Sequence, residues 1–197
     1  MPEKPDLAAL IGSRICHDLI SPIGAIGNGV ELMVMEGAQH GPELALISES
    51  VTHANAKIRF FRLAFGAAGG ESATTKSEVV QVLSDMTRGT RLRIDLQLTA
   101  KLPRASVKLA FLLVMCLETA MPYGGTIEIV QGEDRWSVKG TADRLKVDPA
   151  LWEMLTTGAD FDLGPAQVQF ALVAEELSRQ HRRLTTEITA TEVRFFF

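Results

Sequence analysis

The chain has 197 residues, of which 46% are hydrophobic and 22% are charged, and these values suit a globular protein of one or two domains. Its formal net charge of -4 provides no strong basic field, which argues against nucleic acid or an anionic membrane as a partner. The two cysteines, Cys16 and Cys116, lie in apolar surroundings without a CxxC partner, so we interpret both as small buried residues and expect neither a disulfide nor a zinc site.

Neither the N-terminus nor any later segment has the pattern of a targeting or membrane sequence. Residues 1–6 lack the basic and apolar regions of a signal peptide. The longest uncharged apolar run, residues 109–117, is far shorter than the ~18 residues of a membrane span. We therefore expect a cytoplasmic protein.

The first predicted element is an amphipathic helix over residues 7–36. Its apolar side chains recur at steps of three and four, which is typical of one face of a helix. We interpret that face as the core-facing stripe of the helix: Leu7, Ile11, Ile15, Leu19, Ile23, Ile26, Val30 and Met33.

His17 is expected on the opposite side of this helix. It follows Ile15 by two residues, about 200° around the helix axis, so its imidazole should point into solvent. A neutral imidazole is nucleophilic near neutral pH and can accept a phosphoryl group. A polar face of small and charged residues continues from it at helical steps: Ser21, Gly24, Asn28 and Glu31.

The neighbours of His17 strengthen the case for chemistry there, since a lone exposed histidine usually has no chemical role. The Asp18 carboxylate could hydrogen-bond one ring nitrogen and raise the basicity of the other, or act as an acid or base. Pro22 cannot donate to the Asp18 carbonyl and should kink the helix. Three glycines within six residues destabilise a helix, which predicts close approach by another helix or a partner backbone: Gly24, Gly27 and Gly29.

A second helical pattern follows a turn at residues 36–42 and runs from Leu44 to Phe65. Two long helices joined by a short turn form an antiparallel hairpin. A single hairpin cannot enclose its own apolar stripe. A second copy of the chain is the simplest partner, so we predict a homodimer with a four-helix bundle.

The remaining chain has a mixed pattern of helices and strands. Residues 66–76 are a linker by composition, and Ser77 is the predicted cap of the helix that follows. We place the boundary between two domains at this linker, giving residues 1–70 and 71–197. The predicted helices cover residues 77–88, 105–121, 148–155 and 166–182, and the strands cover residues 91–98, 125–131, 135–139, 183–190 and 192–197.

At residues 17–22 the sequence resembles the H-box of sensor histidine kinases, and it is closer to the ChpT-type histidine phosphotransferases. Residues 14–32 resemble the first helix of that family, 59–66 the end of its second helix, and 118–129 a later segment. The resemblance implies a fold class of α plus α/β. A helical hairpin, forming a four-helix bundle on dimerisation, would be followed by a degenerate ATPase-like (Bergerat-type) α/β sandwich.

The resemblance also implies a function. His17 would accept phosphate from the receiver domain of a hybrid histidine kinase and pass it to response regulators, with Asp18 orienting the imidazole or acting as acid or base. Receivers would dock on the face formed by Ser21, Gly24, Asn28 and Glu31. This chain would bind no cofactor or metal of its own, and Mg²⁺ would come with the receiver. We interpret the other histidines as structural or solvated: His40, His53 and His181.

The second domain departs from the ATP-binding pattern of kinases. Met115 and Thr119 stand where kinases place asparagines that hold magnesium and phosphates. Residues 139–144 and 163–166 replace the glycine-rich adenine loop and lid. Because phosphoryl transfer from ATP needs such contacts, we expect no ATP use. Two alternatives remain open: a divergent ATP-using sensor kinase, and a non-catalytic dimeric adaptor that docks receivers.

Overall fold

The structure, a computed structural model, describes residues 6–36, 42–66, 73–132, 135–157 and 163–197. It begins with a hairpin of two packed helices, α1 (Leu7–Glu36) and α2 (Pro42–Ala64). Asp6 starts α1, because its carboxylate accepts hydrogen bonds from the backbone N–H groups of Ala8 and Ala9 at 3.1 Å each. Both predicted helices are confirmed, whereas the predicted turn between them, with His40, lies outside the described residues.

Close approach of α1 and α2 explains one of the three glycines. A Cβ atom on Gly29 would lie 2.5 Å from Cγ1 of Ile47, so only glycine lets α2 come this near. At Gly24 and Gly27, a Cβ atom would have no described neighbour within 4 Å. The prediction of close packing is therefore confirmed within the chain at Gly29 alone.

Each helix of the hairpin also has a second, exposed apolar stripe, which corrects two predictions. Ile23 and Val30 belong to it rather than to the core-facing stripe, with exposures of 59% and 47%. Cys16 lies on the same side and is exposed, whereas Cys116 is buried as predicted. Helix α1 has two neighbouring apolar faces, and the spacing of its apolar residues does not distinguish the face that packs on the rest of the chain from the face that is exposed. The exposed apolar stripe comprises Ile20, Ile23, Val30 and Val34 on α1 and Leu44, Val51 and Ile58 on α2.

Beyond residue 72 the chain forms the sandwich, a mixed sheet covered on one face by helices. The helices are α3 (Lys76–Thr87), α4 (Arg104–Ala120), α5 (Pro149–Thr157) and α6 (Val168–Arg179), with a short 3-10 helix at Pro165–Gln167. The strands are β1 (Ala73–Thr75), β2 (Leu92–Gln97), β3 (Lys101–Pro103), β4 (Gly125–Gln131), β5 (Trp136–Thr141), β6 (Thr185–Ile188) and β7 (Glu192–Phe196). The hairpin followed by an α/β sandwich confirms the predicted fold class.

The main sheet has five strands in the order β2-β4-β5-β7-β6. Only β2 and β4 are parallel, and the other neighbours are antiparallel. Alternate residues of its central strands point into the core beneath the helices, and the intervening residues form the polar face. The buried set comprises Ile127, Ile129, Val138, Val193 and Phe195.

The core of the sandwich continues into the end of the hairpin. Helix α4 is buried along almost its whole length and contacts the sheet, α6 and α2. Phe60 of α2 packs on Phe111 of α4, with ring centroids 4.9 Å apart. Phe61 and Leu63 are also buried in this core. The hairpin is therefore anchored at one end in the sandwich, and the predicted domain boundary at residue 70 lies outside the described residues.

Three details of the sandwich differ from prediction. Strands β1 and β3 pair with each other, although the sequence predicts a linker at the first and no element at the second. Strands of three residues show too little alternation to be recognised. Thr75, not Ser77, caps α3, since its Oγ1 accepts the N–H of Glu78 at 3.2 Å. Helix α6 ends at Arg179 rather than residue 182, and His181 follows with a φ of 52°.

Candidate functional site

His17 projects from the middle of α1 into solvent, as predicted, with 84% of its side chain exposed. Its Nδ1 lies 3.1 Å from Oδ1 of Asp18. An ionised carboxylate only accepts hydrogen bonds, so we assign the proton of the neutral ring to Nδ1. The lone pair of Nε2 is then free for an incoming electrophile.

Asp18 is held in place by α1 itself. Only 15% of its side chain is exposed, and Oδ2 accepts a hydrogen bond from Nε of Arg14 at 2.9 Å. Burial acts to raise the pKa of Asp18, but hydrogen bonds from His17 and Arg14 and the charges of Arg14 and Lys57 outweigh it and lower that pKa. The carboxylate is therefore ionised beside the imidazole at neutral pH.

Pro22 leaves the backbone carbonyl of Asp18 without its usual helical donor, because proline has no N–H. Lys57 of α2 supplies the missing hydrogen bond, with Nζ 3.0 Å from that oxygen. Helix α1 continues through Pro22 to Glu36. The second helix thus binds the backbone of the residue whose carboxylate contacts His17.

The sandwich also reaches this site. Nη1 of Arg14 donates to the carbonyl of Ala166, in the 3-10 helix, at 2.9 Å. Glu118 of α4 is close enough to Asp18, Arg14 and Lys57 to interact with their charges. Its burial, together with the negative charge of Asp18, raises the pKa of Glu118 to about 7, while the two cations oppose that shift.

The four residues predicted to continue the polar face of α1 are all exposed on the His17 side: Ser21, Gly24, Asn28 and Glu31. At 100° per residue, their directions lie within roughly 40° of that of His17 around the helix axis. The exposed apolar stripe is centred about 100° away on the same helix. Helix α1 therefore presents a polar face and an apolar face side by side, and α2 covers a third sector.

Comparison with known proteins identifies the family. A model of the histidine phosphotransferase C-terminal domain matches residues 76–192. Over 199 aligned positions the chain is 32% identical to the protein phosphotransferase ChpT of Brucella abortus (strain 2308), covering 96% of this chain and 94% of the relative. This chain belongs to the ChpT-type histidine phosphotransferases. The enzyme is also similar to a solved 1.7 Å structure of a bacterial phosphotransferase, with 31% identity, coverage of 97% and 95%, and a TM-score of 0.82.

Met115 and Thr119, which the sequence resemblance aligns with the kinase asparagines, both have structural contacts in this phosphotransferase. Met115 is buried in the core. Thr119 donates its hydroxyl to the carbonyl of Met115 at 3.0 Å and accepts a hydrogen bond from Nε2 of Gln169 at 3.1 Å. Gln169 is fully buried. Met115 therefore belongs to the core, whereas Thr119 is exposed and its hydroxyl joins α4 to α6.

Sequence reasoning about the phosphotransferase missed Arg14, Lys57 and Glu118. The spacing of Arg14 and Asp18 is a readable i,i+4 ion-pair signal. Pro22 indicates that the Asp18 carbonyl lacks its helical donor, but no sequence pattern identifies Lys57 as the replacement donor.

Within the described ranges, no three His, Cys, Asp or Glu residues are grouped as metal ligands require. No helix in those ranges has the length and hydropathy to cross a bilayer.

Proposed function

We propose that His17 is the phosphorylated residue of this histidine phosphotransferase. It accepts the phosphoryl group from a hybrid-kinase receiver and passes it to the receivers of response regulators. The observation that carries this proposal is the exposed imidazole whose Nδ1 faces an ionised Asp18 at 3.1 Å. That arrangement orients the ring, keeps its proton on Nδ1 and leaves Nε2 accessible.

The transfer needs no other nucleophile in this chain. The lone pair of Nε2 attacks the phosphorus of the receiver's aspartyl phosphate, and an N–P bond forms as the O–P bond to the aspartate breaks. The electron pair of the broken bond stays on the leaving carboxylate. The ring proton remains on Nδ1, so the product is an imidazolium whose positive charge faces Asp18. The reverse steps deliver the phosphoryl group to the next receiver.

The polar face of α1 is our proposed docking surface for receivers. Ser21, Gly24, Asn28 and Glu31 lie beside His17 and are exposed. Gly24 has open space above it, which lets a partner's backbone come close to the helix. A receiver that must bind and leave repeatedly suits a small polar surface of this kind.

We propose that this chain uses neither ATP nor a cofactor of its own. Its phosphoryl donor would be a phosphorylated receiver, which brings its own Mg²⁺. The contacts of Met115 and Thr119 support this proposal, because phosphoryl transfer from ATP needs side chains there that hold metal and phosphates. The two free cysteines and the expected partners favour the cytoplasm as the site of action.

The exposed apolar stripe supports our proposal of a homodimer. Ile20, Ile23 and Val34 are 72%, 59% and 77% exposed, and such a long apolar row on one helix is costly in water. A second copy would cover it and complete a four-helix bundle. Gly27 lies within this row with open space above it, so two α1 helices could approach closely there.

Phosphate transfer from a radiolabelled phospho-receiver, without ATP, tests the function. We expect label on wild type and on His181→Asn, an exposed control whose φ of 52° asparagine tolerates, but none on His17→Ala. Label on His17→Ala would remove His17 from the mechanism. A wild type that binds receivers but takes no label from any of several would support the adaptor instead, and label from ATP alone would support a kinase.

A further inference from the structure

Arg14 connects the hairpin to the sandwich next to His17. Its Nε donates to Oδ2 of Asp18 and its Nη1 donates to the carbonyl of Ala166, both at 2.9 Å. We propose that Arg14 is a positioning residue through which the sandwich sets the orientation of the phosphate-accepting imidazole. This inference rests on the proposed function of His17.

On the sandwich side, a buried side chain holds the carbonyl that Arg14 contacts. The carbonyl of Ala166 also accepts a hydrogen bond from Nε2 of Gln169 at 3.1 Å, and that same nitrogen donates to Thr119 of α4. Gln169 is fully buried. Pro165 begins the short 3-10 helix and restricts its backbone. The acceptor that Arg14 reaches is therefore fixed to the core of the sandwich.

On the hairpin side, Arg14 holds the Asp18 carboxylate in one orientation. A free aspartate can rotate about its side-chain bonds, and then neither oxygen would be aimed at the imidazole. Arg14 holds Oδ2, so Oδ1 faces Nδ1 of His17 at 3.1 Å. Because only 20% of the Arg14 side chain and 15% of the Asp18 side chain are exposed, water competes weakly for the hydrogen bond between these two residues.

The role of Arg14 differs from that of an ordinary surface ion pair. An exposed i,i+4 ion pair on a helix contributes little to stability and joins nothing beyond its own helix. The Arg14–Ala166 hydrogen bond spans 152 residues of sequence. A guanidinium can make both contacts at once because its donors diverge in one rigid plane, whereas the ammonium of lysine is a single point charge.

The resulting chain of contacts runs from α4 through Gln169, Ala166, Arg14 and Asp18 to His17. It gives the sandwich a part in the transfer without any nucleotide. Displacement of the Ala166 carbonyl should therefore change the orientation of the His17 imidazole, although the two residues lie in the sandwich and the hairpin respectively. Removal of the contacts that orient metal-binding histidines commonly costs about 10- to 100-fold in activity, and we expect an effect of that size here.

The experiment compares Arg14→Met, Arg14→Lys and Gln169→Leu with the control Arg93→Met, which alters an exposed arginine on β2. Nitrogen-15 NMR of the histidine rings reports the tautomer of His17, whose signals are assigned with His17→Ala. We expect the Nδ1–H form in wild type and the control. We expect loss of that preference in Arg14→Met, partial retention in Arg14→Lys and an intermediate change in Gln169→Leu.

Transfer kinetics supply the second measurement. We expect Arg14→Met to lower the saturating transfer rate by about 10- to 100-fold with unchanged affinity for the receiver. An unchanged tautomer and rate in Arg14→Met would overturn the proposal, as would weaker receiver binding with a normal saturating rate. If wild type took no label, the proposed function would fail, but the NMR comparison would still decide whether Arg14 positions the ring.

Discussion

At the scale of single residues, Pro22 and Lys57 illustrate how a local defect is compensated from a distance. Proline removes the N–H that would bind the Asp18 carbonyl, and Lys57 of α2 donates to that oxygen at 3.0 Å. The compensation connects the two helices next to His17. It also makes the contribution of Lys57 to stability depend on the presence of proline four residues after Asp18.

We predict that Lys57→Met destabilises the wild-type fold by roughly 1–3 kcal/mol, because it leaves a partly buried carbonyl unpaired. In a Pro22→Ala background, where residue 22 regains its N–H, the same change should cost less than half as much. Chemical denaturation of the four variants measures this coupling. Lys101→Met, an exposed change on β3, is the control, and equal costs of Lys57→Met in both backgrounds would contradict the interpretation.

Glu118 provides a prediction about pH. Its pKa is raised from 4.5 to about 7 by burial and by Asp18, so the folded state binds a proton that the unfolded state releases between these values. This residue should therefore lower the free energy of unfolding as pH rises through that window. Below pH 4.5, Glu118 is protonated in both the folded and the unfolded state, so it no longer lowers the free energy of unfolding.

Glu118→Gln should remove this part of the pH dependence, on the order of 1–3 kcal/mol between pH 4.5 and 7. The measurement is the difference in unfolding free energy between wild type and variant as a function of pH. Glu187→Gln on β6, where the glutamate is exposed, should give a flat difference. A flat difference for Glu118→Gln as well would show that Glu118 ionises normally.

At the scale of elements, α1 combines three roles in three sectors of one helix. One sector packs on α2, one contains the exposed apolar stripe, and one contains His17 and the polar face. Consecutive residues of α1 fall in different sectors, because each step turns by 100° around the helix axis. If α1 were displaced by one residue relative to α2, residues of all three sectors would change their surroundings. The single register of α1 is set by Gly29 against Ile47 and by Lys57 at the Asp18 carbonyl.

The proposed dimer yields a prediction at this scale. Val30→Arg and Val51→Arg, on the exposed apolar stripe of α1 and α2, should each place a charge in the apolar interface and favour monomers of 21.5 kDa. Ala45→Arg, at an exposed position of α2 outside the stripe, should leave the dimer intact. Light scattering after size-exclusion chromatography measures the mass, and a monomeric wild type would contradict the prediction.

How far the sequence predicts these elements depends on their length. Helices α1 and α4 were predicted to within one residue, because long apolar periodicity leaves few other solutions. Strands β1 and β3 were missed because each has three residues. His17 and Asp18 could be chosen from local spacing, whereas Lys57, Glu118 and the Arg14–Ala166 contact depend on tertiary packing that no local pattern encodes.

At the scale of the whole molecule, the hairpin and the sandwich share one core. Phe60 and Phe61 of α2 are buried with residues of α4, and the contact between the Phe60 and Phe111 rings joins the two parts. A salt-bridge cluster adds to this junction, because buried Asp85 of α3 accepts hydrogen bonds from Arg59 of α2 and from Arg88, both at 2.9 Å. We therefore expect α2 and the sheet to unfold together.

Phe60→Ala tests that expectation. Loss of this buried ring should cost about 3–5 kcal/mol and speed hydrogen exchange both in α2 and in β4 by similar factors. Val80→Ala, an exposed change on α3, should alter stability by less than about 0.5 kcal/mol. Faster exchange in α2 alone would indicate that the hairpin and the sandwich open independently.

The single accessible nitrogen of His17 has a kinetic consequence. Under the proposed function, donor and recipient receivers use the same atom and the same polar face of a given protomer, so they cannot occupy it together. The relay step is then a ping-pong exchange, in which the donor must dissociate before a recipient arrives. An abundant unphosphorylated donor would compete with the recipients and draw phosphate backwards, so the direction of net flow depends on the relative concentrations of the partners.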